Sequence, residues 1–124
     1  MSGDRLDNGS WLSPGESLWS PNGSNELRMQ EDGKIAVYWD GGCTYQSSED
    51  EHEGIKGLVM QDDGNLVIYD ENDEAVWASN TEGSGDSVHL VVQDDGNVVL
   101  YQDDEEAVWS SGTVQQQEEQ EEEE

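Results

Sequence analysis

A nine-residue pattern of polar and alternating apolar positions occurs three times along the chain. Two copies are nearly identical and span residues 61–69 and 93–101. A more divergent copy spans residues 30–38 and carries Lys34 and Ala36 where the others have Asn and Val. The copies begin 31 and then 32 residues apart. A period of this length indicates repeated units, each too small to bury a core alone, that pack against one another.

Each copy predicts a β-hairpin, because an Asp-Gly turn signal lies between two runs of alternating apolar residues. In the second copy, a two-residue loop over 63–64 would place Gln61 on the same face as the core aliphatics. A three-residue loop over 63–65 keeps Gln61 on the polar face and pairs Val59 with Tyr69. We therefore expect the three-residue loop, in which one residue adopts a positive φ that Gly or Asn tolerates.

The same alternation assigns four aliphatic side chains per repeat to a shared interior. The Gln, Asp, Asn, Val and Tyr of each motif face outward on the opposite side of the hairpin. The expected inward sets are Leu27, Met29, Ile35 and Val37; Leu58, Met60, Leu66 and Ile68; and Leu90, Val92, Val98 and Leu100.

Short apolar runs between turn residues predict further strands around the hairpins. Residues 11–12 and 17–19 precede the first copy as short strands, and residues 1–8 read as a polar lead-in. A strand with one large aromatic residue follows each copy, which indicates that the three units meet around a shared axis. These aromatic residues are Tyr45, Trp77 and Trp109, and the two Trp side chains are expected in the core.

The length and composition fit one small all-β domain. The 124 residues include 14 Gly, two Pro and no Phe, with many short Val, Leu, Ile, Tyr and Trp runs and no helical period. The chain as given has no apolar stretch typical of a signal peptide or a membrane span, so it is either not secreted by that route or already processed. We favour an intracellular location and expect no membrane insertion. Cys43 is the only cysteine, which excludes an intrachain disulfide and fits a reducing compartment.

The charge balance is strongly acidic, with 31 acidic against 4 basic residues and a net charge of −27. Residues 115–124 hold six acids and no apolar side chain, so we expect a domain over 1–114 and an acidic disordered tail over 115–124. A high-salt environment or a deliberately increased surface charge would explain the excess, since salt screens the self-repulsion. Nucleic acid is not expected as a partner, because phosphate contacts need Lys and Arg. Other acidic clusters cover 49–53, 70–74 and 103–106.

The motif Gln-x-Asp-x-Asn-x-Val-x-Tyr, followed by a Trp-centred strand and repeated about every thirty residues, resembles the bulb-type (monocot mannose-binding) lectin domain. The resemblance implies a β-prism II fold, with three four-stranded antiparallel sheets around a pseudo-threefold axis and aromatic residues at its centre. It also implies one α-D-mannose site per intact motif, without metal, cofactor or catalysis. The implied sites consist of Gln61, Asp63, Asn65, Val67 and Tyr69, and of Gln93, Asp95, Asn97, Val99 and Tyr101.

By this resemblance, the Gln binds the 3-hydroxyl of mannose, Asp and Asn hold the axial 2-hydroxyl, Tyr binds the 4-hydroxyl, and Val packs on ring carbons. The chemistry agrees, because a carboxylate, two amides and a phenol offer donors and acceptors for sugar hydroxyls. Discrimination of mannose from glucose would depend on Asp63 with Asn65, and on Asp95 with Asn97, since an analogue lacking the hydroxyl leaves these groups unpaired.

The first repeat departs from the motif. It keeps Gln30, Asp32 and Tyr38, but Lys34 cannot accept a hydrogen bond and Ala36 offers less apolar contact. We expect this degenerate site to bind weakly or not at all. Many members of the family have an internal disulfide, which the single cysteine rules out here. Members also dimerise by exchanging C-terminal strands; a homodimer is an option for this chain, although two acidic tails would repel each other.

The leading hypothesis is therefore a lectin for mannose-containing glycans, and the alternative is a prism that has lost sugar binding and acts as an acidic protein-interaction module. A metal site is not expected, because the Asp-Gly turns lack the ligand spacing of a calcium loop and His52 stands alone among carboxylates. Catalysis is not expected either, since Asp63 and Asp95 fall on different sheets and cannot form a glycosidase pair.

Overall fold

A computed structural model describes residues 3–47, 51–102 and 106–115 of the chain. The described residues form twelve strands and no helix. The strands are β1 (Arg5–Leu6), β2 (Trp11–Leu12), β3 (Ser17–Trp19), β4 (Asn25–Met29), β5 (Ile35–Trp39), β6 (Gly42–Gln46), β7 (Ile55–Met60), β8 (Leu66–Asp70), β9 (Ala75–Ala78), β10 (His89–Val92), β11 (Val98–Tyr101) and β12 (Ala107–Ser110).

The strands form three four-stranded antiparallel sheets, one per repeat. Their orders are β3-β4-β5-β6, β2-β7-β8-β9 and β1-β10-β11-β12. Each sheet takes its first edge strand from the first nineteen residues and its other three strands from one repeat. The expected all-β architecture of three sheets around a pseudo-threefold axis, the β-prism II fold, is confirmed.

The expectation that residues 1–8 are only a polar lead-in is wrong. Arg5 pairs with Val91 and Leu6 with Leu90, so this segment forms the edge strand of the third-repeat sheet. The Leu6 side chain is buried in the core. A two-residue strand is too short to show a period, and its partner lies more than eighty residues away in the chain, which is why no local pattern reveals it.

The predicted hairpin has the correct loop length but a shifted register. Val59 pairs with Val67 rather than with Tyr69, which lies opposite Gly57. The loop covers residues 62–64, because the Gln61 N–H donates to the Asn65 carbonyl at 2.9 Å and the Gly64 N–H to the Gln61 carbonyl at 3.1 Å. Gly64 has a φ of 91°, as a left-handed residue after a tight turn requires. The loop lies one residue earlier than predicted, so each partner changes by two positions and every side chain keeps its predicted face.

The core consists of the inward aliphatic residues of the three hairpins. All twelve predicted residues are at most 1% exposed. Leu6, Leu12 and Leu18 from the short edge strands complete the interior, one from each of β1, β2 and β3. The predicted division into an apolar and a polar face is therefore confirmed.

Three aromatic side chains, one from each sheet, contact one another. Tyr45, Trp77 and Trp109 occupy equivalent positions on the last strands of the three sheets, opposite Val37, Ile68 and Leu100. Their rings meet edge to face, at centroid distances of 5.9 Å between Tyr45 and Trp109 and 5.8 Å between Trp77 and Trp109. The two Trp side chains are half-buried against the core and not within it, because they belong to edge strands. The predicted grouping is confirmed, and the two Trp side chains expected in the core pack against it while staying partly exposed.

Parts of the predicted acidic segments lie outside the described residues: 48–50, 103–105 and the tail residues 116–124. Within the described part, no group of three or more His, Cys, Asp or Glu side chains is placed to hold a metal ion. The same part contains no helix capable of crossing a membrane.

Candidate functional site

The second-repeat motif places its polar side chains on the outward face of the β7–β8 hairpin. The Gln61 amide nitrogen donates a hydrogen bond to the Tyr69 hydroxyl at 2.5 Å. This bond orients both side chains and leaves the Tyr69 hydroxyl proton and the Gln61 side-chain oxygen for a ligand. Asp63 is exposed in the turn, and one of its carboxylate oxygens accepts the Asn65 N–H at 2.9 Å.

Val67 faces the same side as these polar groups but is only 3% exposed. It lies between Val59 and Ala78 on the neighbouring strands, in the row between Asn65 and Tyr69. Val99 in the third repeat is equally buried. The sequence-based expectation of an outward Val is correct for direction, but both residues offer a ligand little surface and form the floor of the site.

The Asn65 side chain is anchored by its carbonyl oxygen. That oxygen accepts hydrogen bonds from the Ser79 hydroxyl at 3.1 Å and the Thr81 N–H at 3.2 Å. Its amide nitrogen makes no hydrogen bond with any residue that the structure describes, so two N–H donors remain for a ligand beside the Asp63 carboxylate. The arrangement presents a donor next to an acceptor, the pair that a sugar hydroxyl needs.

Ser79 and Thr81 support the turn from behind and were missed by the motif analysis. The Ser79 hydroxyl accepts the Leu66 N–H at 3.0 Å and lies 2.8 Å from the Thr81 hydroxyl, which donates to the Gly64 carbonyl at 2.6 Å. The sequence does carry a signal for them. Trp-x-Ser-x-Thr occurs at 77–81 and again at 109–113, at the same distance from each intact motif.

The third-repeat site repeats this network on a separate sheet. Gln93 donates to Tyr101 at 2.6 Å, and the Asn97 N–H to Asp95 at 3.0 Å. The Asn97 side-chain oxygen accepts from Ser111, Gly112 and Thr113 at 3.1, 3.1 and 3.2 Å, and Thr113 donates to the Gly96 carbonyl at 2.6 Å. Both intact motifs therefore form the same constellation, and Asp63 and Asp95 lie on different sheets.

Two asparagine side chains from neighbouring parts of the fold hold the hairpins in place. Asn8 donates to the Gln61 carbonyl at 2.9 Å and to the Val88 carbonyl at 3.3 Å. Asn25 donates to the Gln93 and Asn97 carbonyls at 3.0 and 3.1 Å. Each asparagine ties the backbone beneath one intact site to a different segment, a long-range role that the sequence does not reveal.

The first-repeat residues satisfy one another. The Gln30 amide donates to the two Asp32 oxygens at 3.2 and 3.3 Å, and the Tyr38 hydroxyl donates to Gln30 at 2.5 Å. Burial, followed by the electrostatic effects of Cys43 and Glu26, raises the pKa of Tyr38. Lys34 reaches away from the turn to Gln46 at 3.1 Å. The structure thus brings Gln30, Asp32 and Tyr38 together, but with their donors already used.

Comparison with known proteins identifies relatives of this architecture. The sequence model of the D-mannose binding lectin family matches residues 50–121. A monomeric monocot mannose-binding lectin from Gastrodia elata is 38% identical, with a TM-score of 0.81 over 90% of this chain and 98% of that one. The Marasmius oreades lectin is 33% identical, with a TM-score of 0.80 over 91% and 93%.

A third relative is the mannose-specific agglutinin of snowdrop (Galanthus nivalis) bulbs, solved with methyl-α-D-mannoside. It is 34% identical, with a TM-score of 0.70 over 89% of this chain and 96% of that one. Comparison with curated protein sequences gives no significant match. The family match over more than half the chain, together with these structural relatives, shows that the chain belongs to the D-mannose binding, bulb-type lectin family.

Proposed function

We propose that this lectin binds α-D-mannose at two sites, one on the second-repeat hairpin and one on the third. The observation that carries the proposal is the hydrogen bonding of the Asn65 and Asn97 side chains. In both, the side-chain oxygen is held inside the turn while the amide N–H groups point away from it beside an exposed carboxylate. The relative from snowdrop, which was solved with methyl-α-D-mannoside, supports mannose as the ligand.

The proposed recognition is a set of hydrogen bonds around one face of the sugar. Asp63 accepts and Asn65 donates to the axial 2-hydroxyl, Gln61 binds the 3-hydroxyl and Tyr69 the 4-hydroxyl. Val67 forms the floor under the ring carbons. Glucose carries its 2-hydroxyl equatorially, so it would leave the Asp63 and Asn65 groups unpaired, which costs affinity. The third-repeat residues act in the same way.

Both sites are shallow and contain few groups, so one monosaccharide should bind weakly to each. Two sites on different sheets of one chain allow a branched glycan or a glycan-coated surface to engage both. The second contact then occurs at a high effective concentration, which strengthens binding without new interactions. The first-repeat site does not contribute, because Gln30 and Asp32 are hydrogen-bonded to each other.

The test is calorimetric titration of the full chain with methyl α-mannoside, with methyl α-glucoside as the epimer control. We expect two sites per chain for the mannoside and no measurable binding of the glucoside. Asn65→Asp and Asn97→Asp each keep the anchoring oxygen but remove the two donors, so each should abolish one site and the double variant both. Asn72→Asp adds the same charge in an exposed turn and should bind like the wild type.

A folded wild-type chain that binds no mannoside would overturn the proposal. Salt-sensitive binding to a basic protein would then favour the acidic protein-interaction module. Retained stoichiometry of two in the double variant would show that the asparagine donors are not part of the sites.

A further inference from the structure

One exposed aromatic side chain adjoins an intact site. Trp11 is 43% exposed and lies on β2, opposite Val59, which in turn pairs with Val67 of the second-repeat motif. Its ring centroid lies 6.2 Å from that of Tyr69, with the planes tilted by 45°. The outward face of the second-repeat sheet therefore continues from Tyr69 onto an accessible indole.

The sheet makes room for this indole at Gly57. A Cβ on Gly57 would lie 3.4 Å from the Trp11 ring and 2.8 Å from the Leu12 carbonyl, and the residue has a φ of 150°. The equivalent positions of the other two sheets hold Glu26 and His89, whose side chains would occupy this space. Trp11 is thus seated on the sheet by a local backbone feature that only this sheet has among the three.

Lys56 borders the same indole. Its ammonium nitrogen lies 5.3 Å from the Trp11 ring centroid and 2.8 Å from an Asp73 carboxylate oxygen. The Lys56 side chain is about half exposed, at 47%. The Lys56 ammonium is attracted to the π face of the indole. Because its side chain is flexible, it can also donate hydrogen bonds to hydroxyls that approach the indole. The surroundings of Trp11 are therefore suited to a neutral polyhydroxylated ligand.

The other two sheets have different side chains at the Trp11 position. Arg5 takes this place beside Val91 in the third repeat, and its guanidinium pairs with Asp7 at 2.8 Å. Ser17 takes it beside Arg28 in the first repeat. The two intact motifs therefore share the same arrangement of monosaccharide-binding side chains. They differ in the neighbouring surface that would contact the rest of a glycan.

We propose that Trp11 forms a second subsite, continuous with the second-repeat mannose site, that holds the neighbouring sugar of a neutral oligosaccharide. The C–H face of a pyranose ring is apolar and packs well on an indole, while its hydroxyls stay in water or meet Lys56. The second-repeat site thus prefers a disaccharide to a monosaccharide, and the third-repeat site does not. The inference depends on the proposed mannose site and adds its glycan preference.

The experiment compares methyl α-mannoside with α-linked mannobioses, by calorimetry, in the Asn97→Asp chain, where the second-repeat site acts alone. Adding Trp11→Ala should lower mannobiose affinity about three- to tenfold and change methyl α-mannoside affinity by less than about twofold. Trp19→Ala is the matched control, because Trp19 is 44% exposed but lies beside the degenerate repeat, and it should change neither affinity.

Trp11→Phe keeps an aromatic ring on the sheet if the alanine variant does not fold, and it should lose part of the mannobiose preference. An equal loss for both sugars in a Trp11 variant would overturn the subsite, since Trp11 would then act only through Tyr69. A folded Asn97→Asp chain that binds neither sugar would instead overturn the mannose site itself. The two failures are thus distinguishable.

Discussion

The hydroxyl of Thr81 donates a 2.6 Å hydrogen bond to the carbonyl oxygen of Gly64, inside the turn that carries Asp63. Thr113 makes the same bond to Gly96 in the third repeat, also at 2.6 Å. Each bond ties the segment after the last strand of a sheet to the turn of the hairpin. The shape of each intact site therefore depends on a residue outside its motif.

Replacement of Thr81 by Val removes this hydroxyl and keeps the side-chain shape. We expect a loss of about 1 kcal/mol in the free energy of unfolding, because a buried carbonyl loses its partner, and weaker mannoside binding at the second-repeat site only. Urea unfolding and calorimetry measure the two effects. Thr44→Val is the control: it removes a 3.2 Å bond to the Val37 carbonyl, far from both intact motifs. Equal loss of mannoside binding in both variants would contradict the role of Thr81.

Gly64 has both a positive φ and no space for a side chain. A Cβ there would lie 2.7 Å from the Ser84 Cβ and 3.0 Å from the Gly85 nitrogen. Gly83 has a similar φ of 94° but open space around it. Gly83→Ala should therefore cost about 1 kcal/mol from backbone strain alone, and Gly64→Ala about 1 to 3 kcal/mol more from the clash. Urea unfolding of both variants measures the difference, and equal costs would show that the turn yields without penalty.

The sequence predicts the hairpins and their faces well, because a side-chain period of two is a local signal that survives a two-residue error in register. Val59 illustrates this, since its partner was misassigned while its face was correct. The edge strand containing Arg5 and Leu6 could not be predicted, because two residues carry no period. The contacts of Asn8 and Asn25 also escape sequence analysis, since each joins segments more than fifty residues apart.

Asn25 should support the third-repeat site and not the second. Its amide nitrogen satisfies the Gln93 and Asn97 carbonyls, while its buried side-chain oxygen has no partner among the described residues. Each of these carbonyls also accepts a backbone N–H, so Asn25→Leu removes one of its two hydrogen bonds, at a total cost of about 2 kcal/mol. We expect the stoichiometry of mannoside binding to fall from two to one in calorimetry.

Asn8→Leu is the reciprocal variant and should silence the second-repeat site alone. Combining each leucine variant with Asn97→Asp assigns the surviving site. A chain that carries both Asn25→Leu and Asn97→Asp and still binds one mannoside agrees with this assignment. Loss of all binding in that folded chain would show that Asn25 supports both sites.

Asp70 links stability to pH. Its carboxylate accepts the Glu74 and Asn72 N–H groups, both at 2.9 Å, and lies 3.3 Å from the His52 ring nitrogen. These bonds, with that from Glu74 the largest cause, hold its pKa below the usual 3.8 despite burial. A carboxyl whose pKa is lower in the folded than in the unfolded chain stabilises the fold at pH values above its unfolded pKa. This contribution is lost as the pH falls through the folded pKa.

Asp70→Asn keeps an acceptor oxygen but cannot titrate. The stability difference between wild type and this variant should be largest near about pH 6 and shrink below about pH 4. Urea unfolding across this range measures it. Asp86→Asn, at an exposed site, is the control for the general effect of removing one negative charge. A difference that stays constant with pH would contradict the linkage.

The net charge of −27 predicts a strong salt effect on stability. The screening length shortens from about 10 Å at 0.1 M salt to about 3 Å at 1 M, which reduces repulsion among the surface carboxylates. A gain of about 1 kcal/mol would raise Tm by about 4 °C. Thermal unfolding in dilute buffer and in molar NaCl measures this, with sucrose as a nonionic control. An unchanged Tm in salt would show that the repulsion is already relieved in the folded chain.

The three short strands before residue 20 give the fold a particular order of assembly. β1 pairs with β10, which lies more than eighty residues later, so Arg5 meets Val91 only after the segment between them has been made. β2 reaches Val59 and closes the second-repeat sheet in the same way. Such distant pairings slow folding, because loop closure must precede the contacts that reward it. The first-repeat sheet can form from residues 17–46 alone, whereas the second- and third-repeat sheets stay incomplete until β2 and β1 reach them.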